Sequence, residues 1–360
     1  MKRSDERDIM FARAKYEKDS MEFKEYYGRH PEKLEEDDAI RQMPQPYTEG
    51  TATFHPHIAP FADAGFMVLD QLKAMDTYDK ATTKTELDPK DMTEQLRRML
   101  RYLGASDVGF TSVSLDDLYS HKGRMGAYGK EITETFQNGI VILYEMDKDC
   151  INRAPQLEEG IEVVKAYMQL ATTTLWITNY IKLLGYDAKA HIDGNYMAFL
   201  PPIAEKAGLG EVGRITALVH PEFGPRVRLA LVTTEMPLEP DKPVPFNLKE
   251  FCEVCNRCSK TCPGKAISPD PMTEIEGKGI MGWSIKDEEC YKVWRRVGTD
   301  CGVCLSVCPF SQGFTEEEWN MIKEGRLGME KALESYSKRI PIRLYNPKVM
   351  DHLSYPKAQF

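Results

Sequence analysis

Apolar and polar positions along the chain define a small set of regular elements. From Asp91 onward, Met92, Leu96, Met99 or Leu100 and Leu103 recur at helical spacing, and Gly104 stands where a glycine ends a helix. Asp107–Thr111 reads as a strand. Gly139–Met146 (GIVILYEM) is a continuous apolar run of strand length, expected to be buried on both faces. A long helix follows from about Gln156 to Leu184, closed by Gly185. It carries two stripes, one through Ile161, Val164, Met168, Ala171 and Leu175, the other through Val163, Tyr167, Leu170, Thr174, Ile177, Ile181 and Leu184. A helix apolar around much of its circumference lies at the centre of a core. Arg228–Thr234 (RLALVTT) reads as a further strand, and helices alternating with short buried strands give an α/β (α+β) core.

The flanks differ. Residues 1–50 are crowded with both charge signs, and Pro44, Pro46, Pro56 and Pro60 break the stretch 44–60, so residues 1–90 read as an irregular arm over the core. Pro237, Pro240, Pro243 and Pro245 favour extended, semi-rigid backbone and mark a boundary. The expected division is therefore an arm (1–90), a catalytic core (91–236), a cysteine module (237–312) and a tail (313–360) with a helix from Thr315.

Charge narrows the partners. Lys and Arg number 47 against 56 Asp and Glu, a formal charge of −9, which argues against a general nucleic-acid surface. No stretch approaches the roughly 18 consecutive apolar residues of a membrane span. The N-terminal MKRSDERDIMFARAKYEKDS lacks an apolar signal-peptide region. The expectation is a cytoplasmic chain, or the mature form of a twin-arginine-exported, membrane-associated protein.

Eight of the nine cysteines lie between Cys252 and Cys308. The first group is Cys252-x2-Cys255-x2-Cys258-x3-Cys262-Pro263. The second is Cys301-x2-Cys304-x3-Cys308-Pro309, with Cys290 upstream. The first spacing is that of bacterial two-cluster ferredoxins, in which the fourth cysteine serves the other cluster. It assigns Cys252, Cys255, Cys258 and Cys308 to one 4Fe–4S cluster, and Cys262, Cys290, Cys301 and Cys304 to the second. Structural zinc favours well-separated ligand pairs and does not explain a triple CxxCxxC ending in CP. Cys150, alone beside an apolar strand, reads as a buried structural thiol.

Gly208, Gly210 and Gly213 match G-x-G-x-x-G, but a dinucleotide fingerprint must follow a strand. Here the preceding PPIAEKA reads as a short helix opened by proline. The glycines instead let backbone approach something closely, either a flat cofactor or another chain segment.

The order AYMQLA (166–171), GYDAKAHIDGN (185–195), AGLGEVGR (207–214), HPEFGPRVRLALVTTEMPLEPDKP (220–243) and FCEVCNRC (251–258) resembles the corrinoid-dependent reductive dehalogenases. So do MFARAKYE (10–17), YYGRHPE (26–32) and TATFHP (51–56) in the arm. The resemblance implies a nitroreductase-like core binding a base-off corrinoid (cobalamin), fused to a ferredoxin-like module with two 4Fe–4S clusters. None of the seven histidines sits in a D-x-H-x-x-G corrinoid-ligating motif, in keeping with the base-off form.

By the same resemblance Tyr167 is the proton donor, Arg228 the cation that lowers its pKa, and Asn195 the third polar residue. Arg226 competes with Arg228, and Asn195 also fits a turn. The implied partners are a small organohalide, an external low-potential electron donor and a membrane anchor protein, with no nucleic acid. Trp176, Trp283, Trp294 and Trp319 fit either a pocket wall or a core. Two other readings remain open: a tRNA-modifying epoxyqueuosine reductase, and a non-catalytic electron-transfer protein.

Overall fold

The computed structural model describes residues 3–75, 78–133, 136–275 and 280–354. Its centre is a sheet of β1 (Asp107–Ser112), β2 (Asn138–Glu145), β3 (Ala188–His191) and β6 (Val227–Thr234). The strand order is β1-β2-β6-β3, and every neighbouring pair is antiparallel. Two-residue strands β4 (Glu211–Val212) and β5 (Leu218–Val219) form a separate hairpin. The antiparallel sheet puts the core on the α+β side of the expected class.

The apolar run of β2 is buried on both faces. Ile140, Ile142 and Tyr144 pack with Leu170, Ile177 and Ile181 of the long helix and with Leu96 and Leu100. Val141 and Leu143, on the other face, pack with Leu118, Met197, Ile203 and Leu209. Each such fully buried side chain contributes roughly 1.5–3 kcal/mol.

The helices begin and end where their sequences direct. Pro89–Tyr102 is capped by Asp88, whose carboxylate accepts from the Lys90 and Asp91 amides. The long helix spans Leu157–Leu183. Gly185 follows at φ +87°, and a Cβ there would lie 2.3 Å from the Thr83 carbonyl oxygen, so glycine both ends the helix and admits the arm. The helix expected from Thr315 is Glu316–Lys323, with Thr315 and Glu318 forming a capping box.

Among the elements outside the sequence reading are the arm helix Ala59–Leu72, strand β3 and the tail helix Arg326–Arg339. Ala59–Leu72 buries Leu69 against Ala171 and Leu175 while exposing Phe61, Met67 and Val68, so its apolar residues mark no single face.

The arm is bonded in place. Glu6 is fully buried and accepts from the Gly123 amide (2.8 Å) and Arg124 Nε (2.9 Å). Arg13 pairs with Asp37 (2.8 Å) and reaches Glu288 (2.8 Å) on the module helix Asp287–Val297. The proline run is irregular but stapled to the core, because Asp241 accepts from the Phe110 amide and from Arg97, both at 2.8 Å. The tail packs Met329 and Ala332 among Leu248, Phe251 and Phe310 of the module. Among the described residues no helix is long and apolar enough to cross a membrane.

Arg214 joins core to module. Its buried guanidinium donates to the carbonyls of Cys252 (3.0 Å), Ser268 (2.8 Å) and Asp270 (2.7 Å), and it stacks 4.6 Å from the Trp283 ring. Arg214→Met orphans three acceptors and is expected to cost about 3 kcal/mol. The check is the thermal midpoint at fixed scan rate under anaerobic conditions; an unchanged midpoint contradicts this role.

Candidate active site between the core and the cysteine module

The eight clustered cysteines fall into two spatial groups. Cys252, Cys255 and Cys308 pack around Val219, Leu248, Phe251 and Phe310. Burial first, then Cys252, Cys255 and Cys258, push the Cys308 thiol well above its usual pKa, so these four thiols are neighbours. Cys262, Cys290 and Cys304 gather around Ala266 and Ile267. Burial first and then Cys301, Cys290, Cys258 and Cys262 act likewise on Cys304. Cys308 thus lies with the first motif's cysteines and Cys262 near Cys290 and Cys304, while Cys258 adjoins both sets.

Among the described residues no three His, Cys, Asp or Glu side chains gather as one metal ion requires. Cys252, Cys255, Cys258, Cys304 and Cys308 instead line a cavity with Arg214 and Phe251, a donor set of the kind that holds iron–sulfur clusters. Cys150 lies apart, buried in Lys148–Ile151, its thiol pushed up to about 12 by burial foremost.

Where core faces module, Tyr167 and Arg228 meet. The Arg228 guanidinium carbon lies 5.4 Å from the Tyr167 ring centroid, and Arg228 Nη2 donates to Asp300 Oδ2 at 2.7 Å. Tyr167 comes from the long helix, Arg228 from β6, and Asp300 from the residue before Cys301. Tyr167 and Arg228 keep some accessible surface while protein surrounds them, as side chains on an internal wall do.

Arg226 is engaged elsewhere. It pairs with Glu145 (2.7 Å) and donates to the carbonyls of Met146 and Ser311, so Arg228 is the cation facing Tyr167.

Burial raises the Tyr167 pKa above 10 more than Arg228 lowers it, so the phenol stays protonated at neutral pH. The expected lowering is present but outweighed. Arg228 stays charged: burial opposes the charge, but Tyr167, Asp300 and Glu159 more than offset it.

Asn195 donates its amide to the Lys73 carbonyl at 3.2 Å, tying the 193–195 turn to the arm helix. Its neighbours Asp193 and Tyr196, besides Arg228 and Asp300, act electrostatically on Tyr167.

Tyr196 also lines a cavity of about 470 Å³ at this interface. Arm residues Ile9, Met10 and Phe11 close one side, with Phe11 against Trp294 (5.5 Å) and Tyr291 (6.0 Å). Core residues Tyr119, Phe199 and Gly213 and module residues Trp283 and Cys290 form further wall. A partly open, largely apolar space reaching Cys290 fits a large, flat redox cofactor.

Of the three glycines, only Gly213 borders this cavity. A Cβ at Gly208 would lie 2.6 Å from the Lys242 carbonyl oxygen, and one at Gly210 would lie 2.3 Å from that of Val219. At those two positions the close approach is to the chain itself. The preceding Leu200–Lys206 helix confirms that the context is not a Rossmann turn. Trp283 and Trp294 line the cavity, whereas Trp176 is exposed and Trp319 packs on Phe310 in the module.

Sequence reasoning missed Glu159 and Asp300. Glu159 is fully buried and its carboxyl is raised by burial first and then by Asp300, with Arg228 opposing. In sequence it looks like an ordinary acid in a first helical turn.

Comparison with known proteins bears out the resemblance. Residues 251–312 match the family model described as a 4Fe-4S dicluster domain. The tetrachloroethene reductive dehalogenase of Sulfurospirillum multivorans is 35% identical over 308 residues, which cover 73% of this chain and 60% of that protein. Its namesake from Desulfitobacterium hafniense is 34% identical over 190 residues, covering 50% of this chain and 34% of that one. A solved variant of a catabolic reductive dehalogenase superposes with a TM-score of 0.74 at 21% identity, over 94% of this chain and 46% of the other. The fold is thus that of the reductive dehalogenases, and the chain is a sequence relative of the tetrachloroethene enzymes. It spans 60% of the length of the first relative and 34% of the second.

Cys308→Ala tests the exchanged grouping. It should alter the EPR signal of one reduced cluster, that of Cys252, Cys255 and Cys258, and leave the other. Two unaltered signals contradict the assignment.

Proposed function

We propose that this chain catalyses reductive dehalogenation, converting the C–X bond of a small organohalide to C–H with release of halide. The observation that carries the reading is the Tyr167–Arg228 pair, a protonated phenol against a cation held by Asp300, the residue before Cys301. Sequence identity to tetrachloroethene reductive dehalogenases supports it independently. Each turnover consumes two electrons and one proton.

A corrinoid held in the cavity, together with two 4Fe–4S clusters, would supply the electron chemistry of the reaction. Cys252, Cys255, Cys258 and Cys308 would hold one cluster, and Cys262, Cys290, Cys301 and Cys304 the other. The cavity wall around Gly213, Thr216, Tyr119 and Trp283 would hold the corrinoid. An external low-potential donor supplies the electrons.

The chain's own part is the proton and the shape of the site. Tyr167 holds a proton on its phenol oxygen at neutral pH and donates it to the carbon losing halide. Arg228 stabilises the phenolate left behind. Phe11, Trp294, Tyr291 and Tyr119 exclude water and favour an apolar substrate. A formal charge of −9 weighs against a phosphate-rich tRNA substrate.

Tyr167→Phe removes the donated proton while preserving ring packing. Iron and cobalt content should stay unchanged, and halide release should fall by about 10²–10⁴-fold, the usual worth of a positioned acid. An unchanged rate removes Tyr167 from the reaction.

A further inference from the structure

Beside the Tyr167–Arg228 pair lie four buried polar atoms outside any regular hydrogen bond, namely both carboxyl oxygens of Glu159, Asp300 Oδ1 and Arg228 Nε, with the Glu159 and Asp300 carboxyls set against each other. Buried polar atoms are rarely left without partners, so ordinary core packing does not explain their grouping. They arrive from three separate elements, the first turn of the long helix, the module and β6.

The chain makes room for them. A Cβ at Gly302 would lie 2.4 Å from Glu159 Oε1, so any larger residue there would displace the carboxyl. A Cβ at Gly160 would lie 2.5 Å from the Tyr47 hydroxyl, and Tyr47 is acted on by Asp300, Glu159, Arg228 and Tyr167 together. Arm, helix, sheet and module thus converge on one guanidinium.

Asp300 engages Arg228 at Nη2 alone, and one contact lets a planar guanidinium swivel. Arg228 Nε is an orphan donor, and the Glu159 carboxyl, which faces Asp300, also acts electrostatically on Arg228. Donor and acceptor are matched in kind, so a small adjustment or one bridging water satisfies both.

We propose that Glu159 is a positioning residue: with Asp300 it brackets the Arg228 guanidinium and so fixes it over the Tyr167 ring. The inference rests on the roles given above to Tyr167 and Arg228. Glu159 touches neither substrate nor cofactor, and it acts through Arg228. Because burial holds its carboxyl well above the usual carboxylate range, glutamine is the conservative replacement.

The test places 3-fluorotyrosine at position 167 and reads its ¹⁹F resonance at neutral pH, in cluster-containing protein without added cobalamin. Glu159→Gln should leave the resonance in place. Glu159→Asp, which withdraws the carboxyl by one methylene, and Glu159→Leu should displace or split it. In cobalamin-loaded protein, Glu159→Asp should lose about tenfold in kcat with KM unchanged, and Glu159→Gln should recover most of that loss.

Equal iron per chain separates these effects from misfolding, and the aspartate variant keeps the test decisive if the leucine variant does not fold. A resonance unmoved by both Asp and Leu overturns the proposal, as does one moved equally by Gln. If the parent protein releases no halide, the dehalogenase reading fails while the ¹⁹F comparison still decides the bracket.

Discussion

The buried charge of Arg228 constrains the rest of the interface. A guanidinium drawn largely out of water needs a partner, and breaking such a pair from one side is destabilising. Its partner Asp300 belongs to the module, whereas Arg228 itself lies on a strand of the core sheet. Folding the core therefore leaves a charge that only the docked module satisfies. Arg214 reinforces the same junction in the same sense, a second core arginine donating to three module carbonyls. The arm closes the third side through Arg13 and Glu288.

That arrangement links the two kinds of chemistry the site needs. Asp300 precedes Cys301 directly, so the residue that fixes the cation is fixed in turn by the backbone of a proposed cluster ligand. Tyr167 lies across Arg228 from it, near Tyr196 on the cavity wall. The proposed proton donor, its cation and the proposed cluster ligand Cys301 are thus linked through helix, strand and module. Preorganisation of this sort sets a donor's geometry before substrate arrives.

Much of this was legible in the sequence because it rests on local periodicity or fixed spacing. The two stripes of Leu157–Leu183, the run Asn138–Glu145 and the cysteine intervals each carry their own signal. The motif resemblance pointed to Tyr167 and Arg228, and the structure then separated Arg228 from Arg226. Glu159 could not be read, since nothing local distinguishes a buried acid from a solvated one in a helix's first turn. Its burial depends on Gly302, more than a hundred residues away. The cavity wall was equally hidden, because Phe11, Tyr119, Tyr196 and Trp294 share no interval. Gly208 and Gly210 show the converse case, a motif-like spacing that serves chain packing.

The most direct measurement is metal content, cobalt and iron per chain, in protein made anaerobically with corrinoid supplied. The account predicts about eight irons, from two 4Fe–4S clusters, together with about one cobalt. About eight irons and no cobalt, despite ample corrinoid, would contradict it and leave an electron-transfer protein without its catalyst.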